Sequence, residues 1–205
     1  MSENTPPQGV PEFTITRTFD ASIEKVWLAW SEEENFVQWW GPKDFDIVIA
    51  KMDFEPDGLL VYSMTAGKLV MWGRFEYRQI LPPHTIEFIN SFSDPDGGVT
   101  RAPFFDGKWP LRVHNTVTFR EERGAVSPVY PEGKPQTVVT LRAYPIDPTD
   151  EEAAAFVSNT ESMNQGFGGT WEKLDAYLAS EGQPYNTIEA KFEPAPGADD
   201  AEEEE

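Results

Sequence analysis

The first forty residues combine one alternating stretch with two short helical patterns. Residues 13–19 alternate between the two faces of a strand and are rich in β-branched and aromatic side chains, which predicts a first strand. Ser22 can cap a helix that follows at once, and Ser31 with Glu34 forms a capping box that opens a second helix. Gly41-Pro42 ends this second helix. One strand followed by two short helices is therefore predicted.

From residue 45 to residue 145 the chain is predicted to be almost entirely strand and turn. Two connections, 94–110 and 121–135, are long and polar, whereas the other connections are short turns. Successive strands with no helix between them favour an antiparallel meander. The six strands predicted here cover residues 45–55, 59–65, 69–80, 85–92, 111–119 and 137–144.

The stretch from Thr149 to about Ser180 is predicted to form the longest helix of the protein. Thr149 and Glu152 fit a capping box, and the acidic first turn suits the positive end of a helix dipole. Steps of three and four residues place large apolar side chains on one stripe, which requires a wide apolar partner surface. The stripe consists of Phe156, Met163, Phe167, Trp171, Leu174 and Leu178.

Three glycines interrupt this stripe. Gly166, Gly168 and Gly169 each cost roughly 1 kcal/mol relative to alanine in a helix interior. Either the helix breaks here into two shorter helices, or the backbone comes close to another group or bends over a cavity. Helix propensities alone leave both alternatives open.

Together these elements predict a single α+β domain over residues 12–180. A curved antiparallel sheet of seven strands buries one face when it wraps around the long C-terminal helix. A cavity between such layers is a common ligand site. Residues 1–11, with three prolines, are expected to form a flexible lead, and residues 181–205, with their acidic run, a disordered tail.

Composition narrows the range of partners. The formal net charge of −20 argues against nucleic acid and against anionic membranes. The chain has no cysteine, which excludes disulfides and thiol chemistry. The sequence shows neither a signal peptide nor an apolar stretch long enough to insert into a membrane, so we expect a cytoplasmic protein.

Few residues offer catalytic or metal-binding chemistry. His84 lies in a proline-rich turn and His114 on a strand, and no carboxylate cluster joins them, so no metal site is predicted. Strand parity places His114 on the outer face, where we expect a surface role. No serine or threonine has a paired histidine, and no phosphate-binding loop is present. The sequence therefore predicts no catalytic residue and no cofactor.

Inward positions of the sheet and helices supply a candidate cavity lining. The parity of strand 111–119 points Asn115 inward, and Asn90 shares the register of Phe88 and Phe92. A buried amide must be satisfied by protein, by water or by a ligand. The aromatic side chains suit either core packing or a cavity wall, and methionine adapts to irregular contents. The predicted lining is Trp39, Trp40, Met64, Met71, Phe75, Phe88, Asn90, Phe92, Asn115, Val117, Met163, Phe167 and Trp171.

Five local motifs follow one another in a recognisable order. They are Phe19-Asp20-Ala21-Ser22 with Val26-Trp27, Trp39-Trp40-Gly41-Pro42, the turn from Met52 to Gly58 with Asp57 in place of a glycine, Gly73-Arg74-Phe75 with the turn from Ile80 to Pro83, and Gly166-Phe167 with Trp171. In this order they resemble the START-like (SRPBCC) helix-grip superfamily, in the branch named for the activator of heat shock protein 90 ATPase. The resemblance covers about residues 12–180. It implies a helix-grip fold and a continuous last helix with its glycines facing the sheet.

Three functions are compatible with this resemblance and with the residues. The first is the binding of a small hydrophobic molecule, lipid-like or aromatic, between the last helix and the sheet. The second is a co-chaperone-like interaction with a larger ATPase, which the name of the branch implies. The third is a cyclase or aromatase activity, which relatives in the wider superfamily have. An enzyme needs inward acids or bases, and strand parity supplies only the two amides.

Overall fold

The computed structural model describes Pro6 and residues 9–180, so the expected tail and most of the expected lead lie outside the described residues. The helices are α1 (Ile23–Ser31), α2 (Glu33–Trp39), α3 (Asp150–Ser158) and α4 (Thr160–Ala179), with one short 3-10 turn at Phe105–Gly107. The strands are β1 (Phe13–Phe19), β2 (Asp46–Met52), β3 (Leu59–Ala66), β4 (Leu69–Leu81), β5 (Thr85–Ser93), β6 (Val99–Thr100), β7 (Val113–Arg123) and β8 (Pro135–Pro145).

The strands form one curved, open antiparallel sheet, as the sequence predicted. Their order across the sheet is β1-β8-β7-β5-β4-β3-β2, and β1 and β2 are the two edges. The two-residue strand β6, which was not predicted, pairs with the end of β5. Because the sheet is antiparallel and buried on one face, alternate residues face the core. The inner face carries Ile15, Leu60, Phe75, Phe88, Val117 and Leu141, among others.

Helix α4 lies across this inner face and is anchored by apolar and polar contacts. Trp171 meets Phe19 of β1 edge to face, with the ring centroids 6.1 Å apart. Leu174, one turn further on, is fully buried. The Lys25 ammonium of α1 donates a hydrogen bond of 2.7 Å to the carbonyl of Leu178, one of the last carbonyls of the helix. The apolar stripe therefore packs on the sheet, as its spacing predicted.

The predicted single helix from Thr149 to Ser180 is wrong in one respect, because the structure divides it at Asn159. Asn159 has φ −101° and ψ 11°, and its side-chain nitrogen donates to the carbonyl of Ala155 at 2.8 Å. The hydroxyls of Ser158 and Thr160 also donate to carbonyls of the preceding turn. Three short polar side chains in a row thus compete for the backbone and end α3. The glycines, by contrast, lie inside α4, which continues through them.

The helix caps confirm two predictions and correct a third. Thr149 and Glu152 form both hydrogen bonds of the capping box, and the Ser22 hydroxyl accepts a hydrogen bond from the backbone nitrogen of Lys25 at 3.4 Å. Ser31 does not cap α2. It is the last residue of α1, and Glu32 precedes α2 without a side-chain cap.

An aromatic cluster fills the space between α1, α2 and the sheet. The rings of Trp30 and Trp39 lie 4.8 Å apart, and Phe36 stacks on Trp40 at 5.1 Å. The indole nitrogen of Trp39 donates to the carbonyl of Ala29 at 2.8 Å. These helices therefore cover one end of the inner face with packed aromatic rings.

Candidate ligand cavity

A cavity of about 160 Å³ lies at the opposite end of the inner face, between the sheet and the helices α3 and α4. Most of its wall is apolar, and the polar side chains in it are uncharged. It is lined by Tyr62, Met64, Gly73, Asn90, Ser91, Phe92, Trp109, Val113, Asn115, Ala143, Phe156, Met163 and Phe167.

Strand register brings the sheet residues of this wall together. Tyr62 lies opposite Gly73 on the paired strands β3 and β4. Asn115 lies opposite Ala143 on β7 and β8, and Asn90 lies opposite Val113 on β5 and β7. All of these residues have the inward parity, so the wall is a continuous patch that spans five strands.

Gly73 makes room for the aromatic ring of Tyr62. A Cβ atom at Gly73 would lie 2.7 Å from the Tyr62 hydroxyl oxygen, closer than real Cβ atoms come to other atoms. The glycine therefore lets the phenol group cross the neighbouring strand. Burial raises the pKa of Tyr62 to about 12, so its hydroxyl stays protonated at neutral pH.

Two amides are among the polar groups of the wall. Asn115 is 3% exposed, and its side-chain nitrogen donates to the carbonyl of Val113 at 2.9 Å. Asn90 is half-buried, and its side chain makes no hydrogen bond to the residues that the structure describes. The Asn115 oxygen and the Asn90 amide therefore have unused donor and acceptor groups that water or a ligand can satisfy.

The helical part of the wall comes from both sides of the break at Asn159. Phe156 belongs to α3, whereas Met163 and Phe167 belong to α4. Phe167 stacks on Phe13 of the edge strand, with the centroids 5.7 Å apart. A Cβ atom at Gly166 or at Gly168 would find no atom within 4 Å among the described residues. These two glycines therefore make no close backbone approach to the sheet.

Residues 101–112, which we call the mouth loop, close the cavity from the side. Trp109 lines the cavity and packs on Phe156 of α3 at 5.6 Å. Phe105 stacks on Trp109 at 5.0 Å and meets Phe104 at 4.6 Å. A left-handed turn makes this packing possible, because Phe105 (φ 59°), Asp106 (φ 51°) and Gly107 (φ 72°) all have positive φ.

Two ion pairs fasten the mouth loop to the first turn of α3. The guanidinium of Arg101 donates to the Glu152 carboxylate, and Lys108 lies 3.8 Å from the carboxylate of Glu151. Glu152 also accepts a hydrogen bond of 2.9 Å from the backbone nitrogen of Thr149. Chiefly through the hydrogen bond from Arg101, and then through that from Thr149, the pKa of Glu152 is held below its ordinary value of 4.5.

Replacing Glu152 with glutamine is expected to lower the free energy of unfolding by about 1 kcal/mol near neutral pH. Because the folded-state pKa is depressed, the carboxylate stabilises the folded protein fully above the unfolded-state pKa, and this contribution is lost as the pH falls through the folded-state value. Urea titrations of both proteins at neutral pH and at several pH values below 4.5 measure the difference. If the difference in unfolding free energy between the wild type and Glu152→Gln stays constant as the pH falls, this explanation is contradicted.

The structure brings together only part of the predicted lining. Six predicted residues line the cavity, namely Met64, Asn90, Phe92, Asn115, Met163 and Phe167. The other seven predicted residues do not line this cavity. Trp39, Trp40, Phe75, Phe88, Val117 and Trp171 are buried in the packed core, and Met71, which pairs with Met64, is half-buried outside the lining.

Some of the lining was missed by sequence reasoning. Tyr62, Gly73, Val113 and Ala143 have the inward parity, so the cross-strand register would have identified them once Asn115 was taken as a reference. Trp109 lies in a loop whose sequence has no periodicity, so no local pattern predicted that its side chain lines the cavity. The other missed residues are Ser91 and Phe156.

His114 lies on the outer face of the sheet, as predicted, but it is not a surface residue. It is buried and stacks on Tyr144 with the ring centroids 4.8 Å apart. Its Nε2 atom is 3.9 Å from a carboxylate oxygen of Glu87. Among Pro6 and residues 9–180, no group of three or more histidine or acidic side chains is placed to hold a metal ion. No helix in this part of the chain is long and apolar enough to cross a membrane.

The curved sheet, the helix across its inner face and the cavity between them define a helix-grip domain. The family described as "Activator of Hsp90 ATPase homolog 1-like protein" matches residues 20–179, and the chain belongs to this family.

Solved structures share the fold at low sequence identity. A protein from Arthrobacter aurescens, solved by NMR, is 23% identical with a TM-score of 0.64, over 92% of this chain and 95% of that chain. A crystal structure of a protein from Mycobacterium smegmatis is 21% identical with a TM-score of 0.63, over 86% of this chain and 96% of that chain. The AHSA1 protein from Silicibacter pomeroyi is 18% identical with a TM-score of 0.54, over 83% and 99%. No curated protein matches the chain.

Proposed function

We propose that the protein binds one small, neutral, largely apolar molecule in the cavity between the sheet and the helices α3 and α4. The observation that carries this proposal is the wall itself, which borders a space of about 160 Å³ and contains no charged side chain. A dry apolar cavity of about 150 Å³ is large enough for benzene. The space therefore suits a molecule with a single aromatic ring better than a lipid chain.

The absence of charge from the lining favours a neutral ligand. None of the thirteen lining residues is Asp, Glu, Lys, Arg or His. A charged ligand would lose its hydration on entry and would find no opposite charge to compensate. A neutral molecule loses much less, because its apolar surface leaves water favourably.

The same lining gives no support to an enzymatic function. Proton transfer needs a group whose pKa lies near the working pH. The Tyr62 hydroxyl, with its pKa raised to about 12 by burial, does not meet this need. Arg17 has the inward parity, but its guanidinium is paired with Asp175 of α4 at 2.8 Å and lies outside the cavity wall.

Calorimetric titration of the purified protein with benzene and toluene tests the proposal. We expect one molecule to bind per chain, and we expect Met163→Glu to abolish binding because it places a carboxylate in the apolar wall. Met163→Leu is the matched control, since it keeps an apolar side chain of similar size, and it should bind within a few-fold of the wild type. Normal affinity in a folded Met163→Glu protein, or no binding to the wild type, would refute the proposal.

Interaction with a chaperone ATPase is a second candidate, and it is favoured by the family to which the chain belongs. A direct assay distinguishes the two functions. Stimulation of the ATPase of a purified heat shock protein 90 by this protein, unchanged in Met163→Glu, would favour the chaperone function over the cavity. A ring compound that binds in the cavity without any effect on the ATPase would favour the ligand-binding function.

A further inference from the structure

We propose that Asn115 and Asn90 select a ligand that carries a hydroxyl group, so that the preferred ligands are small phenol-like molecules rather than hydrocarbons or ethers. This inference rests on the proposed function and assigns a ligand class to the same cavity. It depends on the orientation of the buried Asn115 amide and on Asn90, its neighbour on the adjacent strand.

The orientation of the Asn115 amide is fixed by its hydrogen bond. Its side-chain nitrogen lies 2.9 Å from the carbonyl oxygen of Val113. A backbone carbonyl can only accept, so the nitrogen and not the oxygen of the amide must face Val113. The atom that remains to meet a ligand is the carbonyl oxygen Oδ1, which is an acceptor.

This acceptor faces the cavity and has no partner among the residues that the structure describes. Asn115 is 3% exposed and lines the cavity, and among the described residues no donor reaches its Oδ1 atom. Water can satisfy this acceptor while the cavity is empty, but a ligand that displaces the water without offering a donor would leave the acceptor unpaired. The cavity therefore favours a molecule that can donate a hydrogen bond at this point.

Asn90 supplies a complementary group on the adjacent strand. Asn90 pairs with Val113, and Phe88 pairs with Asn115, so the two amides are diagonal neighbours on one face of the sheet. Diagonal positions lie roughly 7–8 Å apart, within reach of one bridging group. The side chain of Asn90 makes no hydrogen bond to any described residue and can donate from its nitrogen. A hydroxyl matches the pair, because it donates to Asn115 and accepts from Asn90.

The remainder of the wall fits the apolar part of such a molecule. Phe156, Met163 and Phe167 face the amides from the helices, and Trp109 closes the side. A volume of about 160 Å³ accommodates one ring with a small substituent. When the ring of a ligand contacts these side chains, its one polar substituent lies at the two amides, and the ligand needs no charge.

A comparison of phenol, anisole and toluene tests this inference on the wild-type protein by calorimetric titration. The three molecules share the ring, but anisole has only an acceptor and toluene has neither donor nor acceptor. We expect phenol to bind about tenfold more tightly than anisole, as one buried hydrogen bond allows. Equal affinity for phenol and anisole would overturn the inference.

Two variants connect this preference to the amides. In Asn115→Leu, which keeps the shape but removes the acceptor, phenol affinity should fall about tenfold and toluene affinity should be maintained or rise. Asn164→Leu, the same change at an exposed position of α4 outside the cavity wall, is the matched control and should keep the preference for phenol. Asn90→Leu is the second variant if Asn115→Leu does not fold, and it should also weaken phenol selectively. An equal loss for both ligands would show a structural role and would overturn the inference.

The failure of this inference is distinguishable from the failure of the proposed function. If toluene binds to the wild type and phenol binds no better than anisole, the cavity is a ligand site without hydroxyl selection. If none of the three molecules binds, both the proposed function and the inference are refuted.

Discussion

Replacing Trp39 with alanine is expected to lower the free energy of unfolding by about 3–5 kcal/mol. Trp39 is fully buried, and its ring contacts Trp30 at 4.8 Å and Phe36 at 5.3 Å. Alanine would remove these contacts and leave a void that the surrounding rings can only partly fill. It would also leave the carbonyl of Ala29 without the indole hydrogen bond of 2.8 Å.

Urea titration of the wild type and of the variant measures this loss. Because natural domains are stable by only about 5–15 kcal/mol, the variant should unfold at a much lower urea concentration. Trp72→Ala is the matched control, since Trp72 is only half-buried, and it should cost much less. Equal losses for the two tryptophans would show that burial in the cluster is not the source of the effect.

Replacing Gly73 with alanine is expected to abolish ring binding, with a change in stability of only about 1–3 kcal/mol. The added Cβ atom would meet the end of the Tyr62 ring at 2.7 Å, so the ring must move. Trp40 and Phe75 already pack against that ring, at 6.2 Å and 5.7 Å between centroids. The free space beside Tyr62 is the cavity, and a ring that turns into it occupies the ligand volume.

Toluene titration and urea unfolding of the same variant separate the two effects. Gly168→Ala is the control with the same chemical change, because its Cβ atom would find no atom within 4 Å among the described residues. It should keep toluene binding and raise the free energy of unfolding by up to about 1 kcal/mol through helix propensity. Full binding in Gly73→Ala would mean that Tyr62 moves elsewhere and would contradict the expectation.

The strands and the sheet could be predicted because strand alternation is a local signal. β1 begins and ends at the predicted residues, and most other strands differ from prediction by one or two residues at their ends. The break between α3 and α4 is also encoded locally, in Ser158, Asn159 and Thr160, but the apolar stripe runs across it and hides it. The glycines made a helix break near residue 166 one of two alternatives, but α4 continues through them. The cost of glycine in a helix is small compared with the stabilisation from the packing of Trp171 and Leu174.

The cavity could be predicted only in part, because parity identifies a face and not the space above it. Asn115 and Val117 share the inner face of β7, yet Asn115 borders the cavity and Val117 is packed in the core. Which of them faces empty space depends on where α1 and α2 end and on how the mouth loop folds. Both are set by contacts between distant parts of the chain, for example Trp109 with Phe156, which no local pattern shows.

The tryptophan cluster under α1 and α2 also has an optical consequence. The rings of Trp30 and Trp39 lie 4.8 Å apart and are inclined by 57°, so we expect their electronic transitions to couple and to contribute to the near-ultraviolet circular dichroism. That signal vanishes when tertiary packing is lost. Trp109 lies in the cavity wall, and its fluorescence is superimposed on that of the other six tryptophans. Near-ultraviolet circular dichroism thus follows the packing of the core, and a change in fluorescence when a ring binds follows the occupancy of the cavity.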